Sequence, residues 1–340
     1  MFARFDRRFL AVAVCLLFAG VGRIASAAEL KLESRDKDIH GVAVLSDGKL
    51  FADYVIGNAP KPVVWPIVGP TGKEMTRAYS MKHVVGEKTD HPHQRSLWFT
   101  HGDVNGFDFW AESPGDGAAK EDAKPGQPRY KGHGSIVHRE YLKLAVEDGA
   151  AIISTRNDWV APNGKKQLED ERTLTFRDLG TTRTIDFDIT LKATDGDVLF
   201  DETKEGSFGI RIPTEMDVDH KPTGGKIVSS EGKTDKDAWG TRAAWVDYSG
   251  TVEGESLGIA VLNHPSSFRF PTRWHVRTYG LFAANPFGAK SFDPKTTDES
   301  GATVKHGESI TLRYRVVLHS GDHESAGIAE AFKKYAAESR

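Results

Sequence analysis

The chain has a single cysteine in 340 residues, and that one, Cys15, lies in an apolar run near the N-terminus. The residues before it do not resemble a lipoprotein cleavage box. Everything downstream therefore lacks thiol chemistry, disulfides and cysteine-ligated metal. Long apolar stretches are scarce too. Phe9 to Ala19 is too short to span a bilayer comfortably, and no later stretch is long and apolar enough to cross one. There is no basic excess. The formal net charge is −3, and it falls to about −6 once residues 1–27, with Arg4, Arg7, Arg8, Arg23 and Asp6, are set aside. That balance speaks against nucleic acid as a partner. A P-loop, a dinucleotide-binding glycine pattern and a serine nucleophile elbow are all missing, so a phosphate-cofactor enzyme is not supported.

What is present begins with an export pattern. Arg4, Arg7 and Arg8 form a positive start, the apolar run follows, and Ala25-Ser26-Ala27 fits the small-x-small rule for signal peptidase. Residues 1–27 are expected to be a signal peptide, leaving a periplasmic or secreted protein with no membrane contact after cleavage. The Arg7-Arg8 pair hints at twin-arginine export but lacks the usual spacer. An uncleaved anchor is the alternative.

Residues 28–340 read as mostly β. In Thr184–Lys192 the apolar Ile185, Phe187, Ile189 and Leu191 alternate with Thr184, Asp186, Asp188 and Thr190, the period of a half-buried antiparallel strand. Further strands are expected at Lys49–Ile56, Tyr141–Val146, Ala151–Val160, Leu168–Arg177, Phe208–Ile212, Ala243–Tyr248, Leu257–Leu262, Trp274–Leu281 and Ser309–His319. One helix stands out, Glu324–Glu338, with Ile328, Phe332 and Tyr335 at helical spacing. Ser113–Arg129 and Asp217–Trp239 read as loops. So many short strands, with no linker between two cores, predict one large antiparallel two-sheet sandwich with a C-terminal helix. A pair of smaller β domains is the alternative.

The chemistry concentrates in His91–Trp110, HPHQRSLWFTHGDVNGFDFW. Solvated loops have little use for so many rings, and cores avoid so many titratable groups. If the stretch is extended, His91, His93 and Arg95 share a face, as do His101, Asp103 and Asn105. His91, His93 and His101 are a candidate set for a divalent metal, although an HxH spacing is common by chance. Otherwise the histidines orient carboxylates or contact substrate. Trp98 and Trp110 are candidates to stack on a sugar ring or to fill the core. His83 and Lys82 lie on the approach to the motif.

A second stretch, Asn263–Gly288, contains no Asp or Glu, yet holds His264, Arg269, Arg273, His275 and Arg277. Arg273, His275, Arg277 and Tyr279 share a parity. Unpaired buried guanidiniums are costly, so these either meet carboxylates from elsewhere or face an anionic or hydroxyl-rich ligand. In a third stretch, Glu202–Pro213, Glu205, Ser207, Gly209 and Arg211 share the face opposite Phe208 and Ile210, and Glu205 is a candidate general base. The candidate catalytic residues are His93, His101, Asp103 and Glu205. The candidate substrate-binding residues are His91, Arg95, Asn105, Arg211, His264, Arg273, His275 and Arg277. His133, His138, His319 and His323 read as structural or solvated.

HPHQRSLWFTHGDVNGFDFW, with NHPSSFRFPTRWHVRTYGLFAANPFG downstream, resembles the family labelled methane oxygenase PmoA. That pattern usually has another histidine where this chain has Gln94. The label implies a membrane subunit, which a chain without several apolar spans does not match. The resemblance implies instead a sandwich like that of galactose mutarotases and some polysaccharide lyases. With it comes the expectation of an exported protein acting on an oligosaccharide or other small sugar derivative by epimerisation, elimination or hydrolysis. A carbohydrate-binding protein without turnover and a histidine-ligated metal-dependent hydrolase or oxygenase are the alternatives.

Overall fold

The computed structural model describes residues 28–35, 40–57, 59–112 and 131–339. The leader expected at 1–27 and the loop expected at 113–129 lie outside them. In chain order the strands are β1 (Leu30–Arg35), β2 (Gly41–Ser46), β3 (Lys49–Val55), β4 (Val63–Ile67), β5 (Leu97–His101), β6 (Ser135–Glu147), β7 (Ala150–Val160), β8 (Lys166–Asp178) and β9 (Thr182–Lys192). They continue with β10 (Val198–Phe200), β11 (Gly206–Arg211), β12 (Lys226–Ser229), β13 (Trp245–Val252), β14 (Glu255–Asn263), β15 (Arg273–Val276), β16 (Leu281–Asn285), β17 (Ala302–Val304) and β18 (Ser309–Ser320). The helices are α1 (Ala289–Phe292) and α2 (Ile328–Ala336).

The expected all-β sandwich is what forms. One eight-stranded sheet runs β1-β2-β3-β4-β5-β11-β16-β15, the other β12-β13-β14-β18-β9-β8-β7-β6, and β10 pairs with β17. Every pairing between these strands is antiparallel. The alternating residues of β9 face inward as their period demands, with Ile185, Phe187, Ile189 and Leu191 all buried. They meet Phe51, Phe99, Trp159, Phe208 and Tyr314 in one continuous apolar layer between the sheets.

Two expectations need correction. Trp274–Leu281 is not one strand: Arg277 and Leu281 close a tight turn, Arg277 N–H donating to the Leu281 carbonyl at 2.7 Å, with Gly280 at a φ of +103°. Only glycine takes that conformation freely. Asp217–Trp239 is not all loop either, because Lys226–Ser229 pairs with β13.

A second apolar cluster covers the outer face of the first sheet. Val55, Val63, Trp98, Trp110, Leu281 and Ala283 pack there, with Tyr279 against them. Every residue of β5, β11 and β16 is therefore buried. Strands covered on both faces lose the alternation that marks a half-buried one, so β5 and β16 went unseen in the sequence.

The layer between the sheets also holds a polar network. Asp170 accepts hydrogen bonds from Trp159 Nε1 at 2.8 Å, Asn157 Nδ2 at 2.8 Å and Arg172 Nε at 2.8 Å, and Asp170 and Arg172 are both fully buried. Removing one member of such a pair leaves an uncompensated charge in the core. Asp170→Ala is therefore expected to cost about 3–5 kcal/mol in urea denaturation, while Asp170→Leu with Arg172→Met recovers most of it. Equal losses for the single and the double replacement would count against the network as the cause.

Candidate active site

The outer face of the first sheet carries one row of side chains across five strands. Val63 pairs with Trp98, Trp98 with Gly209, Gly209 with Ala283, and Ala283 with His275. From Trp98 to His275 is three strand spacings, about 14 Å. The two positions between them are the smallest residues available. A Cβ on Gly209 would stand 2.6 Å from the Trp98 ring, so glycine is what lets the indole lie down on the sheet. Trp110 packs against Trp98 at 5.2 Å between ring centroids, and His93 lies 6.3 Å from Trp110. The candidate hollow is this face, floored by small residues and an indole, with His93 on the Trp110 side and His275 on the other.

The loop that brings His91 and His93 over this face is tied down by ions. Asp90 accepts from Arg77 Nη1 at 2.7 Å, from Arg211 Nη2 at 2.9 Å and from His91 Nδ1 at 2.6 Å. Burial opposes its charge, but Arg211, His91 and Arg77 outweigh that and hold its carboxyl at about 2. Arg77 also donates to the carbonyls of Lys88, His91 and Gln94. Lys61 Nζ, buried, donates to the His93 carbonyl at 2.8 Å and pairs with Glu112 at 2.7 Å. Gln94 is buried and accepts from Arg211.

Glu205, just before β11, lies within electrostatic reach of both His275 and His93. Its side chain is 32% exposed and pairs with Lys204 at 2.6 Å. Burial opposes ionisation, yet His275, Lys204 and His93 hold the carboxyl below its ordinary value. The two rings are pushed the other way. Burial, with the Lys61 charge behind it, drives His93 down to about 3, and burial drives His275 down to about 4. Both imidazoles are neutral at pH 7, so Lys204 is the cation that keeps Glu205 charged there. His275 gives one ring N–H to the Lys204 carbonyl, and its buried Nδ1 has no partner. In a neutral ring that nitrogen is a bare acceptor. His93 Nδ1 and the indole N–H groups of Trp98, Trp110 and Trp239 are likewise buried without partners among the described residues. Native structures rarely leave such groups unmatched; of these residues, His93 and His275 lie within electrostatic reach of Glu205.

Several candidates lie elsewhere. His101 is a correction: its ring points into the layer between the sheets, against Phe200 and Phe287, and Nε2 bonds the Asp201 carbonyl at 2.7 Å. It is fully buried, so it holds chain and cannot meet substrate. The metal set His91, His93 and His101 therefore does not converge, and no cluster of three or more His, Cys, Asp or Glu suited to a metal occurs among the described residues. Asp103 closes a turn, accepting the Gly106 N–H at 2.9 Å. Asn105 bridges Gln167 and the Leu199 N–H.

Arg95 is spent on Glu112, and Arg211 on Asp90 and Gln94. Arg273 binds Asp298 at 2.7 Å and the Gly240 carbonyl at 2.7 Å. His264 bonds Ser266 and lies edge-on to Tyr335 of α2. His91 is partly exposed and stacks on Tyr279 at 5.2 Å. His93, Glu205, His275 and Arg277 are brought together, one or two from each of the three stretches. Tyr279 and Trp239 complete the group. Tyr279 shared the parity of His275 in the sequence, whereas Trp239 had no local signal.

The model of a family of unknown function, DUF6807, matches residues 41–333. The chain belongs to that family. Both motifs that resembled the methane oxygenase label fall inside the matched region, and no methane oxygenase family is found, which corrects that expectation. No helix among the described residues is long and apolar enough to cross a membrane. No curated protein matches this family member by sequence. Among solved structures, a galactose mutarotase-like protein from Clostridium acetobutylicum aligns over 86% of this chain and 99% of its own, at 9% identity and a TM-score of 0.39. A galactose 1-epimerase from Lactobacillus acidophilus aligns over 87% and 100%, at 7% identity and a TM-score of 0.39. A beta-arabinopyranosidase aligns over 86% of this chain at 12% identity and a TM-score of 0.31, and the chain spans 38% of its length. These likenesses bring no residue role or activity to this chain.

Asp103 gives a stability test separate from the hollow. Burial, aided by the charges of Asp201 and Asp108, drives its carboxyl up to about 6. A carboxyl raised in the folded state takes up its proton more readily there than in the unfolded chain. Its contribution to stability is therefore greatest below about pH 4 and is lost as pH rises through 6. Asparagine keeps the turn acceptor without the charge. Asp103→Asn is expected to gain roughly 1–3 kcal/mol at pH 7.5 and nothing at pH 4, read from thermal melts at both. A loss at pH 7.5 would show that the charge is needed.

Proposed function

We propose that this family member is an exported enzyme that moves protons on a carbohydrate or sugar derivative, in an epimerase type of reaction. The observation that carries this reading is Glu205 within electrostatic reach of two buried imidazoles, His93 and His275, each with an Nδ1 unmatched among the described residues. An ionised carboxylate takes a proton from a hydroxyl or an activated carbon. A neutral imidazole with so low a pKa is a weak base, but it can still donate a hydrogen bond to an oxygen on which charge develops. His93 takes that role. His275, with Nδ1 bare, accepts from a substrate hydroxyl and sets its angle.

A sugar is the ligand that fits the surroundings, because it offers an apolar ring face and many hydroxyls. Trp98, Trp110 and Tyr279 supply rings, and the unmatched nitrogens supply hydrogen-bonding partners. Hydrolysis in its usual form asks for two carboxylates flanking the bond; Asp108, a second carboxyl within electrostatic reach of Glu205, is buried and accepts the Trp110 and Ala111 N–H groups. Export rests on Arg4, Arg7, Arg8 and the Ala25-Ser26-Ala27 pattern.

The test is turnover of a panel of neutral and acidic aldoses and oligosaccharides, with exchange between anomers followed by NMR. Glu205→Gln is expected to reduce kcat about 10²–10⁴-fold while leaving the melting temperature near the parent's. Because both imidazoles titrate far below neutrality, kcat/KM is expected to stay flat from pH 6 to 8. It falls only in acid, as Glu205 takes a proton below its ordinary value. An inflection near 6.5, or turnover indifferent to both Glu205→Gln and His93→Ala, removes the reading. Sugar binding with no turnover of any substrate would leave a lectin-like protein.

A further inference from the structure

Arg277 stands apart from the other guanidiniums of its region. Arg95, Arg77, Arg211, Arg269 and Arg273 each reach a carboxylate within 4 Å. Arg277 reaches none among the described residues, although the surrounding chain is acidic overall. It sits where β15 ends, two residues beyond His275, close enough for its charge to lower the proton affinity of that ring. Its guanidinium lies 5.9 Å from the Trp239 ring and 5.5 Å from the Tyr279 ring. Tyr279 is itself fixed, its hydroxyl bonded to Gln94 and its ring stacked on His91. Two rings thus hold the planar cation in place without neutralising it. Beside it, the Trp239 indole nitrogen is buried without a partner.

We propose that Arg277, with Trp239 and Tyr279 as its walls, is the subsite for a substrate carboxylate, and that the substrate class is acidic sugars of the uronate type. This rests on the reading of Glu205, His93 and His275 as the reacting end of the same hollow. The charge balance selects the ligand. Lys204 is already matched to Glu205, which leaves one cation for one negative charge. A guanidinium presents two parallel N–H donors to the two oxygens of a carboxylate. A phosphate dianion would find a single cation and, nearby, the repelling charge of Glu205.

The experiment pairs each neutral aldose with its uronate and its 6-phosphate, measuring binding by calorimetry and turnover by NMR on the full chain. The parent protein is expected to bind glucuronate or galacturonate at least about 10-fold more tightly than glucose or galactose, equivalent to about 1.4 kcal/mol. The sugar phosphates should bind no better than the neutral sugars. Arg277→Gln is expected to abolish the preference, raising KM for the uronate to that of the neutral sugar. Arg277→Lys should recover part of it, since the charge returns without the fork, and it guards against a glutamine variant that folds poorly. Equal affinity for neutral and acidic sugars, or a preference for the phosphates, overturns the subsite. A uronate preference that depends on Arg277 but is accompanied by no turnover keeps the subsite and removes the catalytic roles instead.

Discussion

Two buried guanidiniums side by side are an unstable arrangement unless an anion meets both. Arg77 and Arg211 are each almost fully excluded from solvent, and their mutual repulsion together with burial pulls Arg77 down to about 10. Asp90 answers both at once and takes His91 as well. This cluster is the constraint on which the candidate site depends. It pins the loop that follows the first four strands onto the outer face of the first sheet. Without that clamp the Trp98–Trp110 cluster would lose its cover and His93 would have no fixed position opposite His275. Such a buried cluster is not a large net source of stability. Its consequence here is geometric, since each ion accepts a single arrangement of the others.

The same clamp explains the division of labour among the polar residues. Arg77, Arg211, Arg95, Lys61, Glu112, Asp90 and Gln94 satisfy one another, and all but Asp90 are largely closed to solvent. Among the groups left unmatched by the described residues are the His93 and His275 Nδ1 atoms and three indoles, and Arg277 has no carboxylate partner there. Burial then tunes the site electrostatically. Desolvation strips the imidazoles of their protons, while Lys204 keeps the carboxylate charged, so neighbouring groups hold opposite readiness to exchange a proton.

Local pattern was enough for most of the second sheet. Strands β7, β8 and β9 have one face on the core and one turned out, and their alternation is plain in the residues. It was not enough for β5 and β16, where apolar layers lie on both sides and the simple alternation is lost. Parity also misled at His101. It shares the numbering parity of His93 and of Asp103, but a loop with positive φ at Ser96 intervenes, so His93 ends on the outer face and His101 in the core.

The residues alone determined that this is an antiparallel all-β chain with a short C-terminal helix, because periodicity and turn chemistry are local. They also determined which three stretches hold its reactive groups, because composition is local too. Which member of each stretch faces the shared hollow was decided only by the tertiary fold. Selection among His91, His93 and His101, or between Arg273 and Arg277, depends on which carboxylates arrive from distant segments. Asp298 reaches Arg273 and none of the described carboxylates pairs with Arg277, a difference no neighbouring residue in the chain announces.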